Sequence, residues 1–265
     1  MNLRLKSLTQ NLAHVFVATL AVGFAIVQTN AQGERLTPIQ QRVHVQQQRL
    51  TSTSVEERRD ALMKLAAMNH PEASRAALAA LNDAEPVVRM TAVHALAALP
   101  AADVSTALIP LLADKQDVVR REAAHALGAT HSSSAVQPLI QLLTTDKVPE
   151  VRIAAALALG KIQYEAAVVP LVNTLSGTGK GKKSANEFLL RSAARALGEI
   201  RSRAAVPGLV AALNNQDTPI DVRRASAEAL GEIADPSATA ALKAAAESPD
   251  PYLSRTARTA LQRLH

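Results

Sequence analysis

One pattern of apolar and polar positions recurs along the chain. The segments VVRMTAVHAL, VVRREAAHALG, VRIAAALALG, LLRSAARALG and VRRASAEALG are variants of a single amphipathic helix. Aligned on the leucine near their end, they extend to seven copies: Leu65, Leu96, Leu127, Leu159, Leu197, Leu230 and Leu261. Seven residues earlier stand Arg58, Arg89, Arg120, Arg152, Leu190, Arg223 and Ser254, and between them small residues such as Ala61, Ala92 and Ala123. At 100° per residue these positions share one face, and its small side chains allow a neighbouring helix to come close. Each copy follows a second apolar segment and a short turn, for example Ala135–Leu143 before Val151. Pro110, Pro138, Pro170 and Pro207 fall within these preceding segments and are expected to kink them.

Both ends of the array carry starting and capping signals. Thr37-Pro38-Ile39-Gln40 reads as an N-cap, a first-turn proline and a capping-box glutamine, and Ser54-x-x-Glu57 as a second capping box. Two positions that are apolar in nearly every copy carry a charge once each, at Lys64 in the first and Arg258 in the last. A repeat with no neighbour on one side needs a polar outer face there. The pattern resembles the HEAT repeat, in the short form called the phycobilisome-lyase HEAT-like repeat. The resemblance implies an all-α, right-handed α-solenoid, an armadillo/HEAT-like superhelix of seven two-helix repeats over residues 37–265. It also implies that the second helix of each pair lines the concave side.

The segment before residue 37 has a different character. Arg4 and Lys6 precede an apolar run from Leu12 to Val27, followed by the small residues Thr29 and Ala31. This describes a secretory signal peptide over residues 1–31, then a short segment 32–36, and an exported, periplasmic or extracellular protein. A membrane association enters only if that segment stays uncleaved.

Composition narrows the chemistry. Zero cysteines exclude disulfides, thiol nucleophiles, Cys-ligated zinc and iron–sulfur clusters. Lys and Arg number 29 against 23 Asp and Glu, for a net charge of +6, which mildly favours anionic partners. The stretch 176–187 is an insertion that lengthens one repeat. Its glycines and Lys180, Lys182 and Lys183 look like a phosphate loop, but Lys183 stands where that motif needs Ser or Thr. A flexible basic loop is the simpler reading.

Three groups of side chains are candidates for function. Arg58, Arg89, Arg120, Arg152 and Arg223, with Glu85, Asp117, Glu150 and Asp221 nearby, are expected to form a structural ladder, since guanidinium forks pair readily with carboxylates. His94 and His125 occupy one slot in consecutive repeats, and with Glu122 they make a weak metal-site candidate. Ile153, Ala154 and Leu157 are apolar where other repeats carry polar groups outward. Flanked by Arg121, His125, Arg191, Arg195 and Arg224, they suggest a groove for an acidic protein or peptide.

No catalytic residues and no cofactor are assigned, and no specific nucleic-acid binding; a monomer is expected. The alternative within the same family resemblance is an enzyme, either a metal-dependent oxidoreductase like deoxyhypusine hydroxylase or a bilin-lyase-like protein. The first uses His-Glu pairs that this sequence lacks, and the second acts in the cytosol, against the export signal.

Overall fold

A computed structural model describes residues 35–177 and 186–264. The chain divides into two compact units, residues 1–45 and 46–265. The leader and Lys180, Lys182 and Lys183 lie outside the described residues. Fourteen α-helices occur among the described residues: α1 (Pro38–Arg49), α2 (Val55–Ala67), α3 (Pro71–Ala77), α4 (Pro86–His94), α5 (Ala101–Leu108), α6 (Asp117–Gly128) and α7 (Val136–Thr145). They continue as α8 (Pro149–Ile162), α9 (Val168–Leu175), α10 (Glu187–Ile200), α11 (Val206–Asn214), α12 (Ile220–Ile233), α13 (Thr239–Ala246) and α14 (Pro251–Arg263).

The even-numbered helices carry the recurring pattern, and in the larger unit they form one continuous row of an α-solenoid. Each packs on the next even-numbered helix and, from α4 onward, on the odd-numbered segment before it. Leu65, Leu96, Leu127, Leu159, Leu197 and Leu230 are fully buried, as are Ala61, Ala92, Ala123, Ala155, Ala193, Ser226 and Ala257. Contacts along this row are closest where the sequence reads Leu-Gly. A Cβ on Gly160 would stand 2.8 Å from the Cα of Ala196, and one on Gly198 would stand 2.9 Å from that of Ala229. Gly128 meets Ala158 and Gly231 meets Ala260 in the same way. The glycine of one repeat thus faces an alanine of the next, and the two backbones touch. Lys64 and Arg258 are exposed, on the flanks of α2 and α14 that no other even-numbered helix covers among the described residues.

The odd-numbered segments depart from simple kinked helices. In the last four repeats a single 3₁₀ turn, such as Ser133–Ala135 or Arg203–Ala205, leads into the α-helix. Pro138, Pro170 and Pro207 then sit in the first turn, where no N–H is needed. In the two repeats before these the order reverses: α3 is followed by 3₁₀ at Leu78–Asn82, and α5 by 3₁₀ at Ile109–Ala113, which holds Pro110.

Exit from the even-numbered helices follows one rule with one exception. Asn69, His131, Gln163, Arg201 and Ala234, none of them glycine, leave through the left-handed region with φ between 44° and 57°. After α4 the chain instead reaches Pro100, which disfavours helix at Leu99, and α4 stops early at His94. At the start of α1 the capping box forms as the sequence predicts, with Thr37 and Gln40 exchanging bonds of 3.3 and 3.0 Å. At α2, Ser54 Oγ accepts from the Glu57 N–H, but the Glu57 carboxylate takes the Ser52 hydroxyl rather than the cap N–H.

Candidate functional site

The arginine ladder is built with different acids from those the sequence suggests. Arg58 forks onto Asp83 at 2.7 and 2.9 Å, Arg89 onto Asp114 at 2.8 and 2.8 Å, and Arg120 onto Asp146 at 2.7 and 3.0 Å. Each acid belongs to the turn of the following repeat, six residues before that repeat's own arginine. The remaining guanidinium nitrogen of Arg89 donates to the carbonyls of Asp83 and Ala84, which ties the arginine to its own turn as well. Each aspartate also accepts the backbone N–H two residues on, as Asp114 does from Gln116. Burial works against the ionised forms of Asp83, Asp114 and Asp146. The guanidinium and backbone hydrogen bonds outweigh it, and all three carboxyls are held below the usual range. Glu85, Asp117 and Glu150 stand at the start of their helices and do not form these rungs.

The ladder then changes. Arg152 donates to the Leu143 carbonyl, Arg223 to the Leu213 carbonyl, and Ser254 to the Ala246 carbonyl. In these repeats the slot residue caps the end of its own odd-numbered helix. Arg224, expected to face a partner, makes the inter-repeat fork instead, onto Asp250 at 3.0 and 2.6 Å, and also holds Asp221. Leu190 fills the slot with a buried apolar side chain.

The apolar groove expected at the fourth repeat is not an open surface. Ala154 is completely buried, and Ile153 and Leu157 are half-buried, because α8 lies between α6 and α10. The apolar character there is largely helix packing. Arg191 and Arg195 are exposed, and Arg195 pairs only within its own helix, with Glu199 at 3.2 Å. Arg121 is half-buried.

His94, His125 and Glu122 do converge, at the C-terminal end of α4. His94 Nε2 lies 3.2 Å from Glu122 Oε1. A cavity of about 390 Å³ opens beside them, lined by Val93, Leu99, Val104 and His125 among others. Burial lowers the His125 pKa, as do Lys161 and Arg121, while Glu122 opposes them. Among the described residues no group of three or more His, Asp or Glu side chains has the geometry to hold a metal ion. The metal candidate is therefore corrected to a His94–Glu122 contact between two consecutive repeats. Nor is any described helix long and apolar enough to cross a membrane.

Helix pairs stacked in one register, with an inter-repeat arginine ladder, define the class of repeat solenoids. The family model for HEAT repeats matches residues 45–128, 105–181 and 181–262, and the chain belongs to the HEAT-repeat family. No curated protein matches it. Among solved structures it is similar to the Escherichia coli protein YibA, with 20% identity, a TM-score of 0.61, and coverage of 85% of this chain and 81% of that one. It is similar also to the complex of CpcE and CpcF of phycocyanin lyase from Nostoc sp., with 21% identity, a TM-score of 0.51, and coverage of 90% and 98%. An engineered protein matches at 24% identity with a TM-score of 0.54, over 84% of this chain and 68% of the other. At these identities the likeness is one of fold.

Proposed function

We propose that this protein is an exported, non-catalytic scaffold that binds another protein or a peptide on the face formed by its even-numbered helices. The observation that carries the reading is a contrast between two sets of positions on the same helices. Inward positions repeat almost without change, as Leu, Ala and Gly. Outward positions vary along the array: Met63, His94, His125, Leu157, Arg195, Glu228 and Thr259 share one slot, and only the two histidines repeat. A constant frame that presents a variable face is what a solenoid needs to recognise one partner along its length. Export rests on the leader sequence, with cleavage after Ala31.

Photo-crosslinking tests the binding face. A crosslinker placed at Arg195 or Arg121 should capture a protein partner from the source organism, and one placed at Val169, exposed on α9, should not. Capture from Val169 alone would move the interface to the odd-numbered helices.

A further inference from the structure

Between α4 and α6 the row of even-numbered helices does not close. The alanines that face the preceding repeat, Ala95, Ala158, Ala196, Ala229 and Ala260, are all buried, but Ala126, their counterpart on α6, is only half-buried. Two local causes coincide. Every other even-numbered helix runs one to three residues past its anchor leucine, whereas α4 stops two residues before Leu96. The chain then continues in tighter turns towards Pro100, with the Leu96 N–H on Val93 and the Leu99 N–H on Leu96. Ala97 also stands where the later repeats have the glycine of Leu-Gly. A Cβ there would meet the next alanine's Cα at 2.8–2.9 Å. Alanine alone does not open a junction, since Ala66 holds the same place on α2 and Ala95 opposite stays buried. The early stop of α4 makes the difference.

The opening is the cavity of about 390 Å³ beside His94, which lies in the size range of small-molecule sites. Val93, Leu96, Leu99, Val104 and Ala126 supply an apolar wall. Its polar side is small and carries one sign of fixed charge. Among the described residues, Glu122 is the one Asp, Glu, Lys or Arg that lines it. Glu122 Oε1 faces His94, and Oε2 has no partner among the described residues. Burial holds His125 towards its neutral form, and Lys161 and Arg121 act the same way from outside the cavity. The Thr130 hydroxyl is committed, donating to the Leu127 carbonyl and accepting from Ser105 and the Ser132 N–H. A largely covered carboxylate beside apolar space selects a cation that brings its own hydrocarbon. An anionic head would meet Glu122 with no lysine or arginine in the lining to offset it.

We infer that this cavity binds a small apolar amine. The hydrocarbon body fills the space left between α4 and α6, and the ammonium group donates to Glu122. This site goes beyond the scaffold reading and needs no macromolecular partner.

The test is isothermal titration calorimetry of the full chain with phenethylamine, which is protonated at about pH 7.5. It should bind one saturable site with a Kd of about 1 mM or tighter. 2-Phenylethanol keeps the body and loses the charge, and should bind at least about tenfold more weakly. Phenylacetate should bind more weakly still. Glu122→Gln should erase the preference for the amine over the alcohol. Ala97→Phe, at an exposed position on the rim, should fill the cavity and abolish binding of both. In the unaltered protein, phenethylamine should shift the methyl resonances of Val93, Leu99 and Val104 and leave those of Leu209 in place. No saturable binding below about 10 mM, equal binding of the alcohol or the acid, indifference to both variants, or methyl shifts elsewhere would each overturn the inference. Crosslinking from Arg121 or Arg195 reports on the scaffold reading alone, so either result can fail without the other.

Discussion

Arg89 joins three segments with one side chain: its own helix, the carbonyls of its own turn and the Asp114 carboxylate of the next repeat. Removing it leaves Asp114, which is largely buried, without its counter-charge. Arg89→Ala is expected to cost about 3 kcal/mol in urea denaturation, since breaking such a pair leaves an uncompensated charge. Arg89→Lys should recover only part of this, because an ammonium cannot reproduce the fork. The same rungs set an acid limit. The folded-state pKa values of Asp83, Asp114 and Asp146 are depressed, so their contribution is fully present above the unfolded value of 3.8 and is lost as pH falls through the lower folded values. Asp114→Asn should flatten part of that acid transition while lowering stability at pH 7. Glu232 has the opposite sign: burial, then Glu228 and Glu199, raise its pKa. Glu232→Gln should therefore raise the melting temperature at pH 7 and make little difference near pH 4.

Two features of the helices can be tested independently of the ladder. The glycine–alanine contacts leave no room for a methyl group, so Gly160→Ala must push α8 from α10. A cost of about 1–3 kcal/mol follows from overpacking of this kind, measured by thermal unfolding. At the helix exits the opposite change should help. Ala234 holds φ at 55°, a region that costs a non-glycine residue roughly 1–2 kcal/mol. Ala234→Gly relieves that strain while adding freedom to the unfolded chain, for a net gain of about 0.5–1 kcal/mol. These positions also show how far the sequence could be read. The helices, their register and the small-residue face follow from a 3.6-residue period. The left-handed exits carry no sequence mark, since Asn69, His131, Gln163, Arg201 and Ala234 have no common chemistry. The short α4 is legible only in retrospect, through Pro100.

In a solenoid each repeat touches only its neighbours, so a local defect stays local. Arg89→Ala should accelerate amide exchange in α2, α4 and α6, with little change in α12 and α14. Equal acceleration everywhere would mean that the array unfolds as one cooperative block. The rungs from Arg58 to Asp146 lie in the first half of the array and the glycine contacts from Gly128 to Ala260 in the second, where Arg224 adds one more fork, onto Asp250. At the level of the whole chain, secretion under its own leader should yield a product beginning at Gln32. An intact Met1 on membrane-bound protein would contradict cleavage.

The sequence by itself determined the repeat and its fold, because burying a periodic apolar face leaves a chain of such helices few alternatives to stacking in register. It also marked the arginines of the ladder, whose spacing is as regular as that of the leucines. Which acids they reach was decided only by tertiary structure: Asp83, Asp114 and Asp146 are 25 or 26 residues from their arginines, and nearer acids competed on paper. Burial was decided there too. Ala154 sits on an outward position of the helix, yet helices on both sides close over it, whereas Phe188 and Tyr252, on the first turns of their helices, stay exposed.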